Sequence, residues 1–155
     1  MSAPVNTGTF ALERTYKASP AKVWGAWSSE KAKGAWFMPP PTGGRSSYSL
    51  DFRVGGREVN EGDAGEGFSY KYDALYFDII PNERIIYSYE MLFGGVRVST
   101  SLATIELKPS GTGTRLKITE QGAFLDGTDS PEARRAGTEI LLRNLSEALG
   151  EAEEA

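Results

Sequence analysis

An α+β fold is predicted by three features of the sequence. Period-two alternation of apolar and polar residues fills most of the chain from Thr9 to Gln121. Two short helical segments interrupt it after the first strand, and one long amphipathic helix follows it. Layer rules turn that order into an antiparallel sheet covered on one face by helices. With 155 residues and 39% hydrophobic content, the chain fits one domain, expected to run from residue 9 to 149 with flexible ends at 1–8 and 150–155.

The first strand is read over Thr9 to Lys17, where Phe10, Leu12, Arg14 and Tyr16 share one face. Ser19-Pro20 is an N-cap followed by a first-turn proline, and Val23, Trp24 and Trp27 then recur at helical spacing. A second helix is read from Glu30 to Phe37, stopped by Pro39, Pro40 and Pro41. Tyr48, Leu50, Phe52 and Val54 alternate up to a tight hairpin at Gly55-Gly56, and Arg57 to Glu61 is the return strand. Phe68, Tyr70 and Tyr72 open a longer strand that ends at Ile80, before the turn Pro81-Asn82. Ile85, Tyr87, Tyr89 and Met91 mark the next strand, up to Gly94-Gly95. Val96 to Leu107 and Thr114 to Gln121 bring the count to seven strands. The last helix starts at Ser130-Pro131. Ala133, Gly137, Ile140, Leu141, Leu145 and Ala148 form its expected apolar stripe, with Leu142 and Leu149 at the margin.

The absences narrow the chemistry. The chain has no His and no Cys, so a Ser-His-Asp triad, a Cys nucleophile and the usual zinc ligand sets are excluded. Acid–base work would fall to carboxylates, Lys or Tyr, and no cofactor or metal is expected. Seventeen basic against twenty-one acidic residues give a net charge of -4, which argues against a nucleic-acid partner. No membrane span is read, and a soluble, cytoplasmic monomer or homodimer is expected.

Several stretches carry a family resemblance. They are Glu13-Arg14-Thr15-Tyr16 with Ala18-Ser19-Pro20-Ala21-Lys22-Val23-Trp24; Trp27 to Trp36-Phe37 and Pro39; Asp51-Phe52-Arg53-Val54-Gly55-Gly56-Arg57; Ile80-Pro81-Asn82-Glu83-Arg84-Ile85; and Gly113-Thr114-Arg115-Leu116 with Thr119-Glu120-Gln121-Gly122. Together they resemble the SRPBCC (START-like, helix-grip) superfamily, and within it the AHSA type, homologues of the activator of the heat-shock-protein-90 ATPase. The resemblance implies a β-α-α-β6-α helix-grip fold like that of the birch-pollen allergen, with a curved seven-stranded sheet around the C-terminal helix. One departure stands out. Many relatives carry Gly-Trp early in the last helix, whereas this chain has Gly137-Thr138.

In that fold the candidate ligand-binding residues are Arg14, Trp36, Tyr70, Tyr72, Tyr76, Tyr87, Tyr89, Met91, Glu120, Phe124, Leu141 and Leu145. Phenols on adjacent strands suit a cavity for a mainly hydrophobic molecule, although cross-strand aromatics also stabilise sheets without any ligand. Trp24, Trp27 and Trp36 could wall such a site or simply anchor their helices. Arg14 and Glu120 are charges at apolar alternation positions, and the fold makes the first and last strands neighbours. They could therefore form an inward ion pair, structural or at the polar end of a pocket, or each could lie at a solvated strand end. Asp51 with Arg53 is read as an exposed pair, Arg134-Arg135 as a solvated face, and the runs Pro39 to Gly44 and Glu61 to Gly67 as surface loops or lids.

The leading expectation is binding of a small hydrophobic or aromatic molecule between sheet and last helix, with no catalytic residue assigned. The alternatives are a cyclase- or hydrolase-type enzyme working through carboxylate and tyrosine groups, and a chaperone-interaction module implied by the family.

Overall fold

The computed structural model describes residues 4–37, 46–63, 69–125 and 127–151. Pro39 to Gly44, Phe68, residues 64–67 and the tail beyond Glu151 lie outside the described residues. The elements run β1 (Asn6–Tyr16), α1 (Pro20–Ser28), α2 (Glu30–Phe37), β2 (Ser46–Leu50), β3 (Arg57–Asp63), β4 (Ser69–Ile80), β5 (Arg84–Phe93), β6 (Val96–Ser110), β7 (Gly113–Phe124) and α3 (Pro131–Ala148). All seven strands form one antiparallel sheet in the order β1-β7-β6-β5-β4-β3-β2. This curved sheet with α3 on its inner face is the helix-grip α+β fold.

Local chemistry explains the elements. Ser19 caps α1 by accepting from the Lys22 amide at 3.3 Å, and Ser130 caps α3 by accepting from the Ala133 amide at 3.1 Å, each followed by Pro at the first helical position. The α3 N-terminus can approach β1 only because residue 8 is Gly: a Cβ there would lie 2.4 Å from Pro131 Cγ. At the far end the Glu151 carboxylate accepts from the backbone amides of Lys17 at 2.5 Å and Ala18 at 3.1 Å. The residue assigned from sequence to a flexible end therefore ties α3 to the β1–α1 corner.

Two expectations about the elements change. The strand expected to reach Val54 ends at Leu50, and residues 51–56 fold into a compact loop. Arg53 N–H donates to Asp51 C=O at 3.0 Å, and Gly56 N–H to Arg53 C=O at 2.8 Å. A Cβ on Gly56 would sit 2.0 Å from Asp51 O, so only Gly closes this loop. Asp51 and Arg53 do form the exposed pair, at 2.8 Å.

The second change concerns α3. Its buried residues are Thr138, Leu142, Leu145 and Ser146, followed by Leu149, whereas Ile140 is 54% exposed and Ala133, Gly137 and Ala148 are also exposed. The helix is rotated from the stripe that apolar spacing indicated. Two hydroxyls can face inward because both are satisfied: Thr138 donates within reach of Arg134 C=O (3.0 Å) and Glu120 Oε2 (3.2 Å), and Ser146 donates to Leu142 C=O (3.1 Å).

Candidate functional site: a cavity under the last helix

β3, β4 and β5 alternate about the sheet plane, so Asn60, Tyr72, Tyr87 and Tyr89 all point to the inner face. Opposite them α3 brings Arg134, Thr138, Leu141 and Leu142, and α1 and α2 supply Trp27, Trp36 and Phe37. The space between them is a half-open cavity of about 330 Å³, within the size range of small-molecule sites. Its walls are edge-to-face aromatics: Trp27 and Trp36 have ring centroids 4.9 Å apart, and Phe37 and Tyr72 5.0 Å.

The structure brings Trp36, Tyr70, Tyr72, Tyr87, Tyr89, Met91, Glu120 and Leu141 to the cavity wall. It does not bring four other candidates there. Leu145 is completely buried in the core, Phe124 packs on the Arg134 guanidinium at 5.6 Å, and Tyr76 turns toward Glu58. Arg14 is the clearest case. The β1–β7 register places it opposite Leu116, while Glu120 lies opposite Phe10. Four residues of strand separate the two, roughly 13 Å, so the inward Arg14–Glu120 pair does not form. Arg14 lies instead in an open hollow with Lys17, Ser110 and Glu151, near the C-terminal end of α3.

The cation at the polar end of the cavity is Arg134, read from sequence as part of a solvated face. Its side chain is only 12% exposed. It pairs with Asp129, donates to Tyr89 Oη at 2.9 Å and Ser99 Oγ at 3.3 Å, and lies over the Tyr89 ring at 5.4 Å. Tyr89 O–H in turn donates to Glu120 Oε1, and Thr138 O–H reaches Glu120 Oε2. Thr138, which follows Gly137 in α3, supports the carboxylate here.

Burial raises the Glu120 carboxyl above its ordinary value, against the opposing effects of Tyr89, Arg134 and Thr138. The Tyr72, Tyr87 and Tyr89 hydroxyls are all pushed up, mainly by burial, and stay protonated. A stability signature follows for Glu120. A carboxyl raised in the folded state contributes most below its unfolded pKa, and that contribution is lost as pH rises through the folded pKa. Glu120→Gln removes this dependence, so the variant gains stability relative to the parent as pH rises from acid to neutral. Urea titrations at several pH values measure it, and a pH-independent difference would contradict the raised carboxyl.

Beneath the aromatic wall lies a second buried cluster. Lys33 Nζ and Glu58 Oε1 form an ion pair at 2.8 Å with both side chains fully buried. Tyr76 and Tyr48 donate to the Glu58 carboxylate at 2.8 and 2.5 Å. The ammonium also lies 4.6 Å from the Phe37 ring centroid and 5.2 Å from Trp27. Burial pushes Lys33 below its ordinary value, against the pull of Glu58. Neither residue lines the cavity, so the pair supports its wall.

The sheet order, the gripping helix and the cavity between them define a helix-grip protein. The family model described as "Activator of Hsp90 ATPase homolog 1-like protein" matches residues 17–150. The chain belongs to this AHSA-type family of the SRPBCC superfamily. Among solved structures, it is similar to an uncharacterized protein from Rhizobium leguminosarum, at 42% identity and a TM-score of 0.87, covering 95% of this chain and 97% of that one. The Mll3558 protein from Rhizobium loti is 43% identical with a TM-score of 0.87, covering 94% of this chain and 99% of that one. The protein CV1439 from Chromobacterium violaceum is 27% identical with a TM-score of 0.73, covering 91% and 96%. No curated protein matches the chain. Among the described residues no helix is long and apolar enough to cross a membrane, and no group of three acidic side chains could hold a metal.

Proposed function

We propose that this protein binds a small, mainly hydrophobic or aromatic molecule in the cavity between the curved sheet and α3, in the cytoplasm. The observation that carries the reading is the cavity itself, about 330 Å³, aromatic on its walls and polar at one end. Native mass spectrometry of freshly purified protein is expected to show a co-purifying small molecule. Leu141→Trp, which enlarges a wall residue toward the cavity, is expected to lose that molecule while keeping the fold by circular dichroism. Retention of the ligand in a folded Leu141→Trp variant would move the site elsewhere.

One observation favours an enzymatic alternative of the cyclase or hydrolase sort. Glu120 is not an ordinary solvated carboxylate: it is buried, raised, and hydrogen-bonded to Tyr89 at the cavity wall. Such a group can pass a proton to or from a bound molecule. A Glu120→Gln protein that still binds the ligand but no longer turns it over would support catalysis, and unchanged chemistry would remove Glu120 from it. The chaperone reading rests on the family description alone.

A further inference from the structure

The polar end of the cavity is charged in an uneven way. Arg134 is the cation there, and its charge is matched by Asp129, with which it pairs. Three of its N–H donors are committed, to Tyr89, Ser99 and Asp129, and its faces lie against the Tyr89 and Phe124 rings. Glu120 feels the Arg134 charge, but its carboxylate is held directly by the hydroxyls of Tyr89 and Thr138. Tyr89 spends its one proton on Glu120 Oε1, and each Glu120 oxygen keeps a further acceptor direction.

Elsewhere on the wall three more polar groups are open. Among the described residues, Asn60 Oδ1, Trp27 Nε1 and Tyr72 Oη are buried and have no hydrogen-bond partner. Asn60 points inward from β3 opposite Tyr72. A buried polar atom left without a partner carries a desolvation cost, which a ligand group of the right kind removes. The wall therefore offers two acceptors, Glu120 and Asn60, one donor, Trp27, and the Tyr72 hydroxyl, which can act as either. A hydroxyl group answers both kinds, because it donates one hydrogen bond and accepts others. An anion answers neither acceptor and is repelled by Glu120.

We propose that the cavity takes an uncharged, hydroxyl-bearing aromatic molecule and rejects its carboxylate analogue, with Glu120 as the residue that sets this preference. The inference rests on the binding reading above and adds the chemical class of the ligand to it. A carboxylate could enter only with a proton taken up at the Glu120 site, with Tyr89, Arg134, Asp129 and Thr138 as the neighbouring groups.

Three two-ring probes of one shape test it by titration calorimetry near neutral pH: 2-naphthol, 2-naphthoate and naphthalene. The expected result is that 2-naphthol binds roughly tenfold or more tightly than either of the others, the scale of a hydrogen bond to a charged group. Glu120→Gln is expected to narrow the gap between 2-naphthol and 2-naphthoate. In the parent protein, any 2-naphthoate binding is expected to take up a proton, read as different heats in phosphate and Tris buffers, so the test does not depend on the variant folding. Binding of 2-naphthoate as tight as 2-naphthol, or without proton uptake, overturns this inference and leaves the cavity-binding reading standing. Failure of all three probes to bind overturns both.

Discussion

Lys33→Met is expected to cost about 3–5 kcal/mol of folding stability, because it leaves the Glu58 carboxylate buried without its counter-ion. The pair is fully enclosed, with Lys33 Nζ 2.8 Å from Glu58 Oε1. Tyr48 and Tyr76 already donate to Glu58, so the remaining hydrogen bonds cannot replace the lost charge. Met matches the length and most of the volume of the Lys stem among Trp27, Phe37 and Tyr87, which keeps the packing term small. The double variant Lys33→Met/Glu58→Gln is expected to recover most of the loss. Gln keeps an acceptor oxygen for one tyrosine, offers an N–H that the other tyrosine's hydroxyl can accept, and sheds the charge. Urea denaturation followed by tryptophan fluorescence measures both. A single-variant loss under about 1 kcal/mol would mean that water or a proton reaches Glu58 despite its burial.

That cluster also shows where the sequence stopped being legible. Strands were readable wherever one face is apolar, as at Tyr72-Ala74-Tyr76 and Ile85-Tyr87-Tyr89, because period two alone then separates inside from outside. β3 breaks the rule: Val59 lies on the face away from the buried side chains of Glu58 and Asn60. Alternation placed a strand there but gave no hint that its polar face is the buried one. Glu58 is satisfied by residues 10 to 25 positions away, so nothing local marks it.

The polar end of the cavity failed to read for a similar reason. Glu120 stood out as a charge at an apolar position, and it is indeed buried. Its neighbour could not be chosen from topology, because adjacency of β1 and β7 says nothing of register, and register puts Arg14 too far along. Arg134 looked like surface because it precedes the buried stretch of α3 beside Arg135, which is exposed. A signal was present: Arg134 and Thr138 are four apart, so a helix turned with Thr138 inward also carries Arg134 toward the sheet.

The rotation of α3 yields the second large effect. Apolar spacing puts Leu145 and Ile140 on one stripe, yet Leu145 is 0% exposed and Ile140 54%. Leu145 sits in the core cluster with Leu142 and Leu149 and does not line the cavity, so truncating it opens a new void rather than enlarging the ligand site. Leu145→Ala is expected to cost about 2–5 kcal/mol, the lost transfer of the side chain plus the void it leaves. Ile140→Ala on the same helix is expected to stay within about 0.5 kcal/mol, since Ile140 already faces water and Ala has the higher helix propensity. Chemical denaturation of the two variants side by side isolates the helix face from any general intolerance of α3 to truncation. Equal losses at both sites would return the helix to the orientation that apolar spacing implies. That orientation would withdraw Thr138 from Glu120 and Arg134 from Tyr89, and with them the polar end of the cavity.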